Sequence, residues 1–228
     1  MTNDIIILGS TGSVGNSTLS VLKGSKNFKI KLLSTNKNIK KLFNQAVKFK
    51  VKNVVVEDEI LFVKYKSIFK KKKITLHHGI NNIDKILKKK VNFCVNSISG
   101  IDGLEPTLKV IPKTQNLLIA NKESIICAWE IIKKKLIKYK TNFIPIDSEH
   151  FSIWKLMKNE NFRDINKIIL TASGGPFLKT KKKKLKNIKP KFALNHPNWK
   201  MGKKISIDSS TMMNKIFEFI EAKKIFNL

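Results

Sequence analysis

Short apolar runs alternate with stretches of helical spacing through the first two thirds of the chain. Residues 4–8 read as a buried strand and run straight into Gly9-Ser-Thr-Gly12-Ser-Val-Gly15, after which residues 16–23 carry helical spacing at Leu19, Val21 and Leu22. The alternation then repeats. Strands are predicted at 28–33, 53–56, 93–96 and 116–119, and helices at 39–49, 60–69, 104–110 and 123–137. Strands this short and apolar, separated by helices, predict a parallel sheet covered on both faces. The expected fold class is therefore α/β, with a Rossmann-type doubly wound parallel sheet over residues 1–146.

The pattern changes near residues 143–146, and a second unit over 147–228 is expected, an incomplete α/β domain. Strands are predicted at 168–171 and 205–207. A helix is predicted over 211–226, with Met212, Ile216, Phe219 and Ile220 on its apolar face. Between them, 178–201 has lysines, prolines and little periodicity, which suggests a functional loop.

Composition changes this picture little. At 228 residues and 42% apolar content the chain can bury one and a half to two cores. No apolar run approaches the roughly 20 residues that cross a bilayer, and the start has no signal-peptide layout, so a cytoplasmic protein without membrane attachment is expected. Cys94 and Cys127 sit in apolar surroundings without CxxC spacing and read as reduced, buried thiols. The formal net charge of +30 points toward nucleic acid, but 45 of the 46 basic residues are lysine and they are spread along the whole chain. Base-reading surfaces lean on arginine forks, so these lysines read as a solvated surface.

The glycines at 9, 12 and 15 lie between the first strand and the first helix. There they permit a tight turn, let a pyrophosphate approach the backbone and let helix pack on strand, with the helix N-terminus facing the phosphates. The plain alternative is a turn and a helix start. At the end of the second strand, Ser34-Thr-Asn36-Lys37-Asn38 stands where an NAD enzyme usually places an acid, and no Asp or Glu occurs between Asp4 and Glu57. Small polar residues with a lysine suit a ribose 2′-phosphate, which favours NADP over NAD.

Asp147-Ser148-Glu149 follows an apolar strand and sets two carboxylates at its C-terminal edge, suited to a hard divalent cation or, equally, to capping a helix. Asn214 and Glu218 share a helix face, with Lys215 beside it. The combination fits a phosphate and a metal side by side, or an ordinary exposed ion pair.

Longer strings carry a family resemblance. Gly9-Ser-Thr-Gly-Ser-Val-Gly-Asn-Ser-Thr-Leu19, Asn96-Ser-Ile-Ser-Gly-Ile-Asp-Gly-Leu-Glu-Pro-Thr-Leu108, Ala120-Asn-Lys-Glu-Ser124, Pro145-Ile-Asp-Ser-Glu-His150, Thr171-Ala-Ser-Gly-Gly-Pro-Phe177, His196-Pro-Asn-Trp-Lys-Met-Gly202 and the run from Ile207 to Ala222 resemble the 1-deoxy-D-xylulose 5-phosphate reductoisomerases, in order and over nearly the whole chain. The resemblance implies an NADPH-binding domain over 1–146 and an incomplete catalytic domain over 147–228. It implies conversion of 1-deoxy-D-xylulose 5-phosphate to 2-C-methyl-D-erythritol 4-phosphate in isoprenoid precursor biosynthesis, with a divalent metal acting as Lewis acid and NADPH as hydride donor.

Carried over by position, Asp147, Glu149 and Glu218 would hold Mg²⁺ or Mn²⁺. Lys122 and Ser148 would meet the substrate's ketol oxygens. Ser173, Ser209, Asn214 and Lys215 would hold its phosphate, with His196 close by and Trp199 and Met201 on a closing loop. Thr11, Gly12, Ser13 and Val14 would match the pyrophosphate turn, Asn36, Lys37 and Asn38 the 2′-phosphate region, and Asn121, Glu123 and Gly202 the nicotinamide side. Ile216 and Asn36 stand where the family usually has glycine. The family also continues past the last helix into the rest of its catalytic sheet, its homodimer contact and a helical domain, so an inactive fragment is the first alternative and a basic nucleic-acid-binding protein the second. A DNA titration at rising salt separates the latter: weak binding without a steep salt slope is the expected outcome, and tight, steeply salt-dependent binding would favour the nucleic-acid reading.

Overall fold

The structure is a computed structural model and describes residues 2–195 and 202–228. The chain divides into two compact units, Met1–Ile146 and Asp147–Leu228.

In the first unit, strands β1 (Asn3–Leu8), β2 (Phe28–Thr35), β3 (Asn53–Val56), β4 (Thr75–His78), β5 (Val91–Asn96), β6 (Thr114–Ile119) and β7 (Asn142–Pro145) alternate with helices. The helices are α1 (Ser13–Leu22), α2 (Ile39–Lys48), α3 (Glu59–Lys71), α4 (Ile83–Ile86), α5 (Leu104–Val110) and α6 (Lys122–Tyr139). All seven strands pair in parallel, in the order β4-β3-β2-β1-β5-β6-β7. The chain winds outward from β1 in one direction and from β5 in the other. Right-handed crossovers therefore put the two sets of helices on opposite faces and open a crevice at the carboxyl ends of β1 and β5. Ile6, Ile7 and Leu8 of β1, Leu32 and Leu33 of β2 and Val54 to Val56 of β3 are fully buried, as strands covered on both faces must be.

Two glycines shape the turn after β1. Gly9 has φ +72°, a left-handed backbone that side chains rarely adopt. Gly15 lies where a Cβ would stand 2.5 Å from both the Gly9 carbonyl oxygen and the Ser10 Cα, so α1 crosses the turn at a distance only glycine allows.

The second unit holds α7 (Ser148–Met157), α8 (Lys182–Leu185), α9 (Pro190–Ala193), α10 (Lys203–Ser210) and α11 (Met213–Phe226). Five sequence expectations need correction. The strand β4 was not foreseen. Residues 168–171 form no strand, the one backbone group of theirs with a described partner being the Thr171 carbonyl, which accepts from the Lys215 side chain and not from a neighbouring strand, and residues 205–207 lie inside α10, where Lys204 pairs with Asp208 one turn on at 2.6 Å. The buried side of α11 is formed by Glu218, Glu221 and Ala222, whereas Met212, Ile216 and Phe219 are exposed. Cys94 is buried as expected but Cys127 is exposed on α6, because its position faces away from the Ile125, Ala128 and Ile132 contacts of that helix.

Replacing Gly15 by alanine is expected to cost about 1–3 kcal/mol of stability by forcing backbone apart. Thermal melts followed by circular dichroism measure this, and an unchanged melting temperature would refute the close approach.

Candidate functional site

In the first unit, a cavity of about 780 Å³ opens at the carboxyl ends of the central strands, lined among others by Thr11, Gly12, Asn36, Lys37 and Asn38. Ser13 and Val14 begin α1, whose first N–H groups have no intrahelical acceptor and so form a partial positive charge at the turn. The turn is stitched to β2. Gly9 N donates to Ser34 Oγ at 3.0 Å, Ser10 N donates to the Ser34 carbonyl at 2.9 Å, and the Thr11 and Thr35 hydroxyls share a hydrogen bond of 2.7 Å. Glu57, the first acid after Asp4, also lines this cavity, but it follows β3 and its carboxylate accepts from Ile80 N at 3.0 Å. The end of β2 itself carries no acid.

Asn121 caps α6. It accepts from Ser124 N at 3.2 Å and donates to the Ile98 carbonyl at 2.7 Å, so its side chain ties the helix start to the loop after β5. Lys122 and Glu123 follow in the first turn, both partly buried.

In the second unit, Asp147 is the N-cap of α7 and accepts from Glu149 N at 3.3 Å. It also belongs to a carboxylate cluster, so the capping and the metal-ligand alternatives coexist in one residue. Asp147, Glu149 and Glu218 each present an oxygen within 4.8 Å of the others, with Glu218 buried and the other two half-buried. A cation with Mg²⁺–oxygen bonds of about 2.1 Å holds its ligands no more than about 4.2 Å apart, so these oxygens need to close by less than about one ångström. The donor set, all oxygen and all anionic, suits Mg²⁺ or Mn²⁺.

Among the described residues, two cationic groups meet the cluster. Lys215 Nζ pairs with Glu149 Oε1 at 3.1 Å, with Glu218 Oε2, and with the Thr171 carbonyl. Burial pulls its ammonium pKa down, and the hydrogen bonds and charges of Glu218 and Glu149 more than reverse this, leaving it above its ordinary value. Asn214 donates to Glu218 Oε1 from the preceding turn. His150, fully buried, lies between α7 and α11. Its Nδ1 is 3.1 Å from Asp147 Oδ1 and 3.4 Å from Glu221 Oε2, and its Nε2 donates to the Glu218 carbonyl at 2.9 Å. Both ring nitrogens face acceptors, an arrangement that the imidazolium satisfies and a neutral ring does not. Burial lowers the His150 pKa, but Asp147, Glu221 and the Glu218 carbonyl together raise it above its ordinary value.

The expected site residues thus gather in part. Asp147, Ser148, Glu149, Asn214, Lys215 and Glu218 come together, Ser148 donating to Glu149 Oε2 at 2.6 Å. Ser173 Oγ accepts from Gly175 N at 3.4 Å, and a Cβ on Gly175 would stand 2.7 Å from the Ser209 carbonyl, so the 173–175 turn rests on the end of α10. Ile216 is half exposed. Gly202 begins α10 and is exposed. His196, Trp199 and Met201 lie outside the described residues. Sequence reasoning assigned no role to His150 or Glu221; the spacing of Glu221 three residues after Glu218 was the one available signal, whereas His150 pairs with a helix 68 residues away.

Comparison with known proteins fits this geometry. The family model described as 1-deoxy-D-xylulose 5-phosphate reductoisomerase matches residues 5–129, and that of the C-terminal domain of the same enzyme matches residues 143–226. The 1-deoxy-D-xylulose 5-phosphate reductoisomerase of Pelagibacter ubique is 54% identical over 98% of this chain and 58% of its own length. A crystal structure of DOX-P reductoisomerase in complex with NADPH, fosmidomycin and magnesium matches with a TM-score of 0.90 at 34% identity, over 99% of this chain and 59% of that one. The enzyme from Zymomonas mobilis in complex with NADPH matches with a TM-score of 0.88 at 31% identity, over 100% of this chain and 59% of that one. The chain therefore spans about three fifths of the length of these relatives.

Glu218→Gln keeps the shape of the cluster and removes one charge, so Mn²⁺ affinity, read by electron paramagnetic resonance, is expected to fall about tenfold or more. Lys215→Met removes the ammonium that competes for the same oxygens and is expected to tighten Mn²⁺ instead. Equal weakening in both variants would refute the cluster as a cation site.

Proposed function

The chain belongs to the 1-deoxy-D-xylulose 5-phosphate reductoisomerase family, and from that premise we propose that it binds NADPH and a divalent cation and acts in the NADPH-dependent conversion of 1-deoxy-D-xylulose 5-phosphate to 2-C-methyl-D-erythritol 4-phosphate. The observation that carries this reading is the convergence of Asp147, Glu149 and Glu218 within 4.8 Å in a unit whose sequence otherwise strongly favours lysine.

The residues present fit both groups. Three carboxylate oxygens would hold Mg²⁺ or Mn²⁺, and the glycine turn, with Thr11, Gly12, Ser13 and Val14 at a helix start, would receive the pyrophosphate, while Asn36, Lys37 and Asn38 suit a 2′-phosphate. When bound, the cation supplies Lewis acidity to adjacent substrate oxygens and the nicotinamide supplies hydride. The chain's own residues do the rest. Ser148, on the first turn of α7, and Lys122 would orient the ketol oxygens, Lys122 bringing positive charge to an oxygen that becomes anionic. Ser173, Ser209, Asn214 and Lys215 would fix the phosphate, His196 would stand close to the substrate, and Asn121, Glu123 and Gly202 would serve the nicotinamide end. Lys215, now paired with Glu149 and Glu218, would exchange those carboxylates for the phosphate once a cation satisfies them.

A second reading keeps both sites without turnover. Loss of nicotinamide absorbance with 1-deoxy-D-xylulose 5-phosphate and Mg²⁺ or Mn²⁺ tests both. Turnover abolished by a chelator and restored by Mn²⁺ is the expected result. NADPH and Mn²⁺ binding without turnover selects the second reading, and failure to bind NADPH sinks the first and second alike.

A further inference from the structure

The glycine turn is held from beneath by side chains of α1 and α2. Gln45 of α2 is 8% exposed, a lone amide among the buried Ile39, Leu42 and Ala46 of the same helix. Its Oε1 accepts from Ser10 Oγ at 2.8 Å, and its Nε2 donates to the Ser10 carbonyl at 2.9 Å and to Asn16 Oδ1 at 3.0 Å. Asn16 Nδ2 passes the contact on, donating to the carbonyls of Thr11 at 3.1 Å and Gly12 at 2.5 Å. Lys41, one helical turn before Gln45, also donates to the Thr11 carbonyl, at 2.9 Å. Three consecutive carbonyls are thereby drawn onto side chains.

An anion at this turn needs N–H groups facing it, and each carbonyl turned the same way would repel it. An apolar side chain would fill the place of Gln45 without the desolvation that a buried amide incurs, so the amide's presence asks for a role that needs hydrogen bonds. We propose that Gln45 is a positioning residue for the cofactor's pyrophosphate: directly at Ser10, and through Asn16 at Thr11 and Gly12, it fixes the peptide planes of the turn so that the N–H groups of Thr11 and Ser13 face the ligand, while Gly12 N donates within the turn to the Gly9 carbonyl at 3.1 Å. This inference rests on the nucleotide-site reading above.

The test compares two ligands in the full chain. NADPH spans the turn, whereas adenosine 2′-monophosphate has the 2′-phosphate but no pyrophosphate. Gln45→Leu is expected to raise the NADPH dissociation constant at least about tenfold, the range expected when buried polar partners lose a hydrogen bond. The affinity for adenosine 2′-monophosphate, read by calorimetry or ligand-observed NMR, is expected to stay within about twofold of wild type. Asn16→Ala, which leaves Ser10 and Gln45 in contact, is expected to show the same ligand-selective loss and carries the test should Gln45→Leu not fold. Gln45→Glu keeps the acceptor and removes both donors, so it is expected to follow Gln45→Leu.

Wild-type NADPH affinity in these variants, or an equal loss for both ligands, overturns the role of Gln45, the latter because it marks general damage. A wild-type chain that binds adenosine 2′-monophosphate but not NADPH overturns it as well. A wild-type chain that binds neither overturns the nucleotide-site reading beneath it.

Discussion

Four carboxylates share one small space in the second unit, and their mutual repulsion is the constraint around which that unit is arranged. Among the described residues, Lys215 pairs with Glu149 and Glu218, and His150 stands against Asp147 and Glu221. Buried charges persist only when paired and hydrogen-bonded. This accounts for the inverted face of α11. Its buried residues are the ones His150 and Lys215 can satisfy, and Met212, Ile216 and Phe219 are left outside. Slipping α11 by one residue would break the pairs of Lys215 and the contact of His150 with the Glu218 carbonyl together, so the register of the helix and the geometry of the site are specified by the same contacts.

The first unit uses mostly neutral groups for the corresponding task, the ammonium of Lys41 on the Thr11 carbonyl being the charged donor among the described contacts of the turn. Its turn is shaped by Gly9 and Gly15, where close backbone contact leaves no room for a Cβ, and by hydroxyl and amide hydrogen bonds from Ser34, Thr35, Gln45 and Asn16. The attraction offered to an anion comes from the start of α1, whose partial charge requires no buried ion.

How much of this was legible follows from the range of the interactions involved. The β1, turn and α1 segment is local: an apolar run, three glycines and a helical period occupy 22 residues, and the structure has them in those places. The edge strand β4 was missed because Thr75–His78 offers only Leu76 as a buried apolar position and no alternation to read. The Ile-Ser-Ile run at 205–207 looked like a strand because three residues cannot separate a period of two from one of 3.6. The Lys204 and Asp208 spacing was the better guide. In the site, Asn214 and Glu218 could be placed on one helix face from spacing alone, and the link from Glu218 to Asp147 and Glu149 came from the resemblance. His150 remained without a role because two of its three partners, Glu221 and the Glu218 carbonyl, lie on another helix and only folding joins them to it.

The contrast between the two units also decides where a site can be altered without altering the fold. Removing a partner from the carboxylate cluster strands a buried charge, which costs several kcal/mol, on the order of 3–5 where burial is complete. Such a change disturbs the packing of α7 on α11 and the cation ligands at once, because the same atoms do both. Removing a partner beneath the glycine turn leaves a neutral dipole unpaired, about 1–3 kcal/mol each, in a sheet whose core is built from separate apolar residues such as Ile7, Leu33 and Val54. The turn can therefore lose its orientation while the sheet stands. Binding defects separable from folding defects are expected beneath the turn, and coupled ones between α7 and α11.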